Sequence, residues 1–168
     1  MSRSPRRSTA SVSDQRLYVL FRTLGHTPEA ERAVKAFSKL GEHGLLWQGI
    51  ALAGAALDED RRREWLRAWA VIAGSFVANQ AVKFSFRRPR PDIPELPRLM
   101  GTMSNRSYPS AHATTAACSA RVLSPLVGVP LYPLAVAMAL SRLYLGVHWP
   151  SDVVAGYALG AAIGELAS

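Results

Sequence analysis

The chain has 168 residues, 49% of them hydrophobic, and its 20 Lys and Arg outnumber its 12 Asp and Glu to give a net charge of +8. This length suits a single domain with one core and excludes two independent domains. The one cysteine, Cys118, excludes an internal disulfide and a cysteine-based metal cluster, and its small apolar neighbours predict a buried structural thiol.

The first predicted element is a disordered basic tail over residues 1–13, which contains Arg3, Arg6 and Arg7 among serines. No apolar segment follows it directly, so we do not expect a secretory signal peptide. The basic residues of the chain are not interleaved with aromatic residues and match no nucleic-acid-binding module. We therefore expect no nucleic-acid partner.

Two amphipathic helices are predicted next, over residues 14–25 and 28–41. The apolar face of the first helix comprises Leu17, Leu20, Phe21 and Leu24. The apolar face of the second helix comprises Ala30, Ala33, Val34, Phe37 and Leu40. Both helices carry too many charges to cross a bilayer, so we expect them to lie on a membrane surface as interfacial helices.

Five apolar segments follow, and they are predicted to be helices because nothing in the chain alternates as a strand does. Their bounds are 44–57, 66–86, 111–127, 131–147 and 152–167. The predicted fold class is therefore all-α, with residues 14–168 forming one domain.

The apolar segments are short for a bilayer core, which needs about 20 residues, so hydropathy alone leaves a soluble helical bundle open. Two features favour a membrane-embedded bundle of five spans. Arg67 and Arg121 lie near segment ends, where long side chains reach the interface. Gly156, Gly160 and Gly164 form a stripe of small residues that lets membrane helices approach closely.

Three motifs carry residues suited to phosphate chemistry, and each lies at a predicted helix end. They occupy residues 83–91, 108–112 and 141–152. If the segments alternate in direction, all three ends face the same side. Because negative charge spreads over the phosphoryl oxygens during transfer, the cations Lys83, Arg90 and Arg142 suit this chemistry.

The second and third motifs supply candidate catalytic groups. Ser110 and the backbone N–H groups of Ala111 and His112 lie at a helix N-terminus, which attracts anions. Asp152 follows His148 by four residues. It is close enough to hold one ring nitrogen and leave the other free to attack phosphorus. His112 then remains to protonate the departing oxygen.

Each motif alone also has a plainer interpretation. A single His or Arg at a helix end is usually a cap or a partner of the helix dipole. A basic run such as residues 87–90 is usually an anchor for lipid headgroups. The combination of all three motifs on one side of the molecule favours a catalytic site.

The three motifs resemble those of the type 2 phosphatidic acid phosphatase superfamily, whose pattern is K-x6-R-P, then P-S-G-H, then S-R-x5-H-x3-D. The first and third match at full spacing, and the second departs only in having Ala111 where the family has glycine. Alanine keeps the N–H donor but would be strained if the position needs a positive φ. The resemblance covers about residue 66 to the C-terminus.

The resemblance implies a lipid phosphatase in which His148 forms a phosphohistidine, Asp152 orients it, and His112 serves as acid and then as base. The residues that it implies for phosphate binding are Lys83, Arg90, Ser110, Ala111 and Arg142. It implies no metal ion and no cofactor. Membrane members of the superfamily are six-helix bundles, so we expect a reduced bundle of five spans with interfacial helices.

The distribution of positive charge predicts a membrane orientation. With five spans, the side that bears the motifs carries 13 Lys and Arg, or 12 without the catalytic Arg90, against 5 on the other side. The positive-inside rule then places the active site at the cytoplasmic face of the cell membrane. This count of Lys and Arg is less decisive if residues 14–41 themselves span the membrane.

Among compact members of the superfamily, the chain resembles the decaprenylphosphoryl-5-phosphoribose phosphatases of cell-wall arabinan synthesis. The proline-rich loop 87–108 is stiff enough to shape a headgroup pocket, and the side chains expected near a sugar are Asp92, Glu95, Asn105 and Arg106.

Several alternatives stay open. They are a phosphatase of undecaprenyl diphosphate, phosphatidic acid or phosphatidylglycerophosphate, a vanadium-dependent haloperoxidase, and a non-catalytic membrane protein that binds anionic lipids. A homo-oligomer is compatible with any of them.

Overall fold

The computed structural model describes residues 10–168, which form seven α-helices and no strand. The helices are α1 (Val12–Thr23), α2 (Pro28–Leu40), α3 (Leu45–Leu57), α4 (Arg62–Phe86), α5 (Ala111–Val127), α6 (Tyr132–Tyr144) and α7 (Pro150–Leu166). A short 3-10 helix, Glu42–Gly44, joins α2 to α3. The predicted all-α fold class is confirmed.

Several helix bounds follow directly from local sequence signals. α5 has the predicted bounds and ends at Gly128, whose φ of +80° is the left-handed cap that glycine adopts freely. α2 begins at Pro28, and the side chain of Thr27 accepts a hydrogen bond from the N–H of Ala30.

α4 begins earlier than the predicted residue 66, because a charged cluster expected to precede the helix instead opens it. Arg61 pairs with Glu64 at 2.9 Å, and Arg62 pairs with Glu59 at 3.2 Å. Arginine and glutamate are good helix formers and pair well at this spacing. The first turn of α4 is therefore charged, and its apolar part begins one turn later.

α5 is the central helix and packs against α3, α4, α6 and α7. Ten of its 17 residues are buried, including Cys118, as predicted for a structural thiol. Residues 112–120 are buried without interruption, so this part of α5 is covered on all sides, as in the interior of a bundle. The largest fully buried apolar side chains around it include Trp47, Ile72, Leu123 and Met138.

The glycine stripe of α7 lies directly against α5. A Cβ added at Gly156 would lie 2.5 Å from the carbonyl oxygen of Ser110, and one at Gly160 would collide with the carbonyl oxygen of Thr114. These atoms belong to the backbone and cannot move aside as a flexible side chain does. The close helix approach expected from the stripe is therefore present, and it sets the position of α7 relative to α5.

α1 packs against the rest of the protein through a polar face rather than its apolar one. Asp14, Tyr18 and Arg22 are buried, whereas Leu17 and Leu20 are exposed. The helix begins at Val12, so the predicted tail is shorter than residues 1–13, and its residues 1–9 lie outside the described part. The apolar face thus points outward, as an interfacial helix requires.

Within residues 10–168, no helix combines the length and the apolar character of a membrane span. The longest, α4, has 25 residues but carries charges in its first turns and at Lys83. The predicted arrangement of five membrane spans therefore stays a prediction.

Candidate active site

The three motifs meet at one end of the bundle, around a cleft of about 660 Å³. Six of the eight predicted site residues line this cleft, namely Lys83, Arg90, Ala111, His112, Arg142 and His148. The loop 101–104 and the turn at Glu42 and His43 form other parts of its wall. Asp152 and Ser110 lie behind the lining residues.

Each functional side chain is positioned by the end of a helix. Lys83 is in the last turn of α4, His112 in the first turn of α5 and Arg142 in the last turn of α6. His148 lies between α6 and α7, and Asp152 is in the first turn of α7. Because these helix ends meet at one face of the bundle, residues distant in sequence converge on a single cleft.

The three cations of the cleft have no ion-pair partner within the described residues. Lys83 and Arg142 are only 5% and 4% exposed, yet no carboxylate within the described residues forms an ion pair with either of them or with Arg90. Burial lowers the pKa of Arg90 to about 10. Since burying unpaired charges is costly, this arrangement favours an anionic ligand.

Arg142 has a buried donor that is left over for such a ligand. Its Nη1 donates to the hydroxyl of Ser38 at 2.6 Å and contacts the sulfur of Met100 at 3.3 Å. Its buried Nε has no hydrogen-bond partner among the described residues. A phosphate oxygen would satisfy that donor.

His148 is held in the tautomer that a nucleophile needs. Its Nε2 lies 3.0 Å from Nη1 of Arg90, and its Nδ1 lies 3.6 Å from Oδ2 of Asp152. A guanidinium can only donate, so Nε2 carries the lone pair and Nδ1 carries the hydrogen. The lone pair thus points toward a cation that lines the cleft.

The pKa of His148 is lowered well below its ordinary value, first by burial and then by the charges of Arg90, Arg142 and Lys83. The imidazole is therefore neutral at neutral pH. A neutral imidazole with its lone pair on Nε2 is ready to attack phosphorus.

Asp152 is fully buried and fixed at both oxygens. Oδ2 accepts the N–H of Trp149 at 2.8 Å, and Oδ1 accepts from Nη1 of Arg88 at 2.8 Å. The carboxylate therefore cannot rotate freely, and its Oδ2 stays on the side of the His148 ring.

His112 uses one ring nitrogen to contact α2. Its Nε2 lies 3.0 Å from the carbonyl oxygen of Ser38. Because a carbonyl oxygen only accepts, Nε2 carries the hydrogen, and Nδ1 is left to exchange a proton in the cleft. The sequence offered no signal for Ser38, which lies on a helix predicted to be interfacial.

Ala111 opens α5 with ordinary helical backbone. His43 and Arg87 are the only non-glycine residues of the described chain at positive φ, so alanine is not strained here. Next to it, the backbone N–H of Ser110 donates to the carbonyl of Asp152 at 2.9 Å. The buried Oγ of Ser110 has no hydrogen-bond partner among the described residues, and Ser110 itself does not line the cleft.

The contacts of Arg88 differ from those expected if residues 87–90 only anchor lipid headgroups. Its guanidinium is largely buried between Asp152 and Asp14, at 2.8 and 2.7 Å. Arg106, expected near a sugar, instead places its guanidinium 4.4 Å from the ring centre of Phe84. Neither contact has a local sequence signal, because the partners lie far away along the chain.

Comparisons with known proteins identify the relatives of this chain. The family model described as the PAP2 superfamily matches residues 64–168. A decaprenylphosphoryl-5-phosphoribose phosphatase of Mycolicibacterium smegmatis is 44% identical over 137 residues, which cover 79% of this chain and 74% of that protein.

Two solved structures extend the comparison. A transmembrane PAP2-type phosphatidylglycerolphosphate phosphatase from Bacillus subtilis superposes with a TM-score of 0.76 at 25% identity, covering 92% of this chain and 82% of that one. A bacterial vanadium-dependent iodoperoxidase has a TM-score of 0.76 at 17% identity, covering 99% of this chain but 50% of its own, and shares the fold alone. With its motifs, its fold and the matched residues 64–168 in agreement, the chain belongs to the PAP2 superfamily.

Proposed function

We propose that this lipid phosphatase hydrolyses the phosphate monoester of a polyprenyl-linked sugar phosphate, decaprenylphosphoryl-5-phosphoribose, with His148 as the nucleophile. The observation that carries the proposal is the neutral His148 imidazole, whose Nε2 lies 3.0 Å from Nη1 of Arg90, in a cleft that Lys83 and Arg142 also line; none of the three cations forms an ion pair with a carboxylate within the described residues. This arrangement suits attack on a phosphate held by cations.

The reaction has two steps. In the first, Nε2 of His148 forms a bond to phosphorus, the ester P–O bond breaks, and the leaving oxygen takes a proton from Nδ1 of His112, which enters this step as an imidazolium beside the bound phosphate and leaves it neutral. In the second, His112 removes a proton from water, the water oxygen bonds to phosphorus, and the N–P bond breaks to release inorganic phosphate. Asp152 accepts the Nδ1–H of the phosphohistidine and stabilises its positive charge.

The phosphate is held by the cleft residues. Lys83, Arg90 and Arg142 contact the equatorial oxygens, and the Ser110 hydroxyl and the N–H groups that open α5 add neutral donors. These donors replace the charge stabilisation that a metal ion supplies in other phosphatases, so the proposed reaction needs no metal.

The choice of substrate rests on similarity and on a second cavity. The relative at 44% identity is named for decaprenylphosphoryl-5-phosphoribose. A cavity of about 520 Å³ shares Gly101 and Thr102 with the cleft and is lined by Asp92 and Asn105 among others. Carboxylate and amide groups of this kind suit the hydroxyls of a sugar.

The test is phosphate release in detergent with excess chelator, using decaprenylphosphoryl-5-phosphoribose, undecaprenyl diphosphate, phosphatidic acid and phosphatidylglycerophosphate side by side. We expect the first to have the highest kcat/KM and His148→Gln to lose about 10³-fold or more. His26→Gln, a histidine outside the cleft, is the matched control. A higher kcat/KM for another lipid would reassign the substrate, whereas an undiminished His148→Gln would refute the mechanism.

We further propose that the protein is embedded in the cell membrane with its cleft at the cytoplasmic face. The outward apolar face of α1, the uncharged α3 and the distribution of Lys and Arg support this placement. Met103 is 86% exposed at the cleft, and the one native thiol, Cys118, is buried. Met103→Cys should therefore react with an impermeant maleimide only after cells are opened; labelling of intact cells would reverse the orientation.

A further inference from the structure

Helix α1 reaches the catalytic end of the molecule through one buried aspartate. Asp14 accepts from Nη2 of Arg88 at 2.7 Å, and the same guanidinium donates from Nη1 to Asp152 at 2.8 Å. Arg88 therefore bridges two carboxylates, one on α1 and one beside His148. The side chains of Asp14 and Asp152 are only 7% and 0% exposed, so solvent screens these contacts weakly.

Asp14 also caps the helix that carries Asp152. Its Oδ1 accepts the backbone N–H of Ser151 at 2.9 Å, and its Oδ2 accepts the Ser151 hydroxyl at 2.6 Å. Ser151 is in the first turn of α7, where N–H groups lack partners within the helix. A carboxylate from α1 thus supplies the cap and fixes the first turn of α7.

We propose that Asp14 and Arg88 are positioning residues for phosphoryl transfer, through which α1 holds the Asp152 carboxylate toward Nδ1 of His148. The inference rests on the proposed function. Neither residue lines the cleft. Their action is indirect. Arg88 fixes the rotation of the Asp152 carboxylate. Asp14 holds Arg88 in place and offsets the positive charge of Arg88, so that Asp152 can still stabilise a positively charged phosphohistidine.

The charge balance explains why both residues are needed. Arg88 alone beside Asp152 would neutralise the carboxylate on which the phosphohistidine depends. With Asp14 as a second partner, the three groups carry one net negative charge, and part of it remains opposite the His148 ring. Loss of either residue therefore lowers the rate of the chemical step rather than the affinity for substrate.

The test compares kcat and KM of Asp14→Asn and Arg88→Gln with those of the wild-type chain on the same lipid phosphate. We expect kcat to fall about tenfold or more in each, with KM within about twofold, as for other residues that orient a catalytic group. Glu165→Gln is the matched control, because it removes a different arginine–carboxylate contact to α7, that of Arg121 at 2.6 Å. This control should keep kcat within about twofold of wild type.

A double-mutant cycle separates positioning from general stability. In an Asp152→Asn background, Arg88→Gln should cost less than about threefold, because the carboxylate that it orients is gone. Single-turnover assays at high enzyme concentration keep this residual rate measurable. If Arg88→Gln does not fold, Asp14→Asn decides the question, since it preserves shape and its folding can be followed by thermal unfolding.

The outcomes are distinct from those that test the reaction itself. If the wild-type chain releases no phosphate, or His148→Gln is as active as wild type, the proposed function is wrong and this inference with it. If both behave as proposed but Asp14→Asn and Arg88→Gln keep wild-type kcat, the inference alone is wrong. It is equally wrong if Arg88→Gln costs as much in the Asp152→Asn background as in wild type.

Discussion

The guanidinium of Arg90 has three partners among the described residues, and two of them define how the proposed nucleophile, His148, is kept ready. Its Nη1 donates to the carbonyl of Val147 at 2.6 Å and lies 3.0 Å from Nε2 of His148. The carbonyl anchors the guanidinium, and the guanidinium keeps the lone pair of His148 on the reactive nitrogen. A phosphate oxygen that binds Arg90 therefore arrives beside the atom that attacks it.

This contact predicts a pH dependence. The proposed reaction requires a neutral His148. Activity is therefore present at a pH above the pKa of His148 and is lost as the pH falls through that pKa. Burial and the charge of Arg90 hold this pKa well below its ordinary value. Arg90→Gln removes one of the charges that lower it. The acidic limb of kcat/KM should then move to higher pH by about one unit on the same substrate, besides a loss of rate.

The control for this shift is Arg106→Gln, because Arg106 contacts Phe84 and does not line the cleft. Its acidic limb should coincide with that of wild type. Since the ionisation of the substrate is common to all three proteins, an unmoved limb in Arg90→Gln would contradict the role given to Arg90.

A second prediction at the residue scale concerns Ala111. Its backbone is helical, so glycine at this position gains no needed conformational freedom, and both residues present the same N–H donor. Ala111→Gly should keep kcat and KM within about twofold of wild type while lowering the midpoint of thermal unfolding slightly. A large gain in kcat would show that the alanine hinders phosphate binding.

At the scale of elements, the contact between α5 and α7 decides whether the cleft is assembled. α5 carries His112 and α7 carries Asp152, and the glycine stripe lets their backbones approach. The N–H of Ser110, which precedes α5, donates to the carbonyl of Asp152 across this interface. A wider spacing would separate the two halves of the site.

Gly160→Ala tests this spacing. The added Cβ would collide with the backbone carbonyl of Thr114, so we expect a loss of about 3 kcal/mol in the free energy of unfolding and a parallel loss of activity. Gly74→Ala is the matched control, because nothing lies within 4 Å of its added Cβ in the middle of α4. That change should stabilise by about 0.5 to 1 kcal/mol, since alanine is the better helix former. Equal unfolding midpoints for the two variants would contradict the prediction.

At the scale of the whole molecule, α1 connects the outside of the protein to its active site. Through Asp14, its inner face contacts Arg88 at the end of the bundle that carries the cleft. Through Arg22, whose Nη2 donates to the carbonyl of Pro97 at 2.8 Å, the same face contacts the loop 87–110. Its outer face exposes Leu17 and Leu20 at 45% and 48%. Polar contacts thus hold the helix on the protein, and its apolar side chains are free to contact lipid.

The double change Leu17→Glu with Leu20→Glu tests the outer face. We expect less protein in the membrane fraction and less activity on lipid phosphate in vesicles, because charged side chains replace apolar ones at the lipid contact. Activity on a water-soluble phosphate monoester should remain, since neither residue touches the cleft. Leu17→Met with Leu20→Met, which keeps the face apolar, should behave like wild type. An equal loss on the soluble substrate would mean that the face is structural.

Much of the fold and the site was predictable from sequence because the signals are local. Apolar periodicity predicted helices close to the observed bounds, and α5 has the predicted bounds 111–127. The motif spacings identified the superfamily, and six of the eight residues that they named line one cleft. Spacing carries this information because each motif is a short stretch of chain at helix ends and the turn beside them.

Other features were decided only by the tertiary structure. Which face of α1 is buried could not be predicted from its periodicity, because the apolar face faces outward and the polar stripe of Asp14, Tyr18 and Arg22 is buried. The bridge from Asp14 through Arg88 to Asp152 joins residues 74 and 64 positions apart. No local pattern records such a contact, since a charged side chain looks solvent-exposed until another element supplies its partner. The sequence by itself therefore determined the helices and the chemistry, and the packing of α1 and α2 decided how that chemistry is held in place.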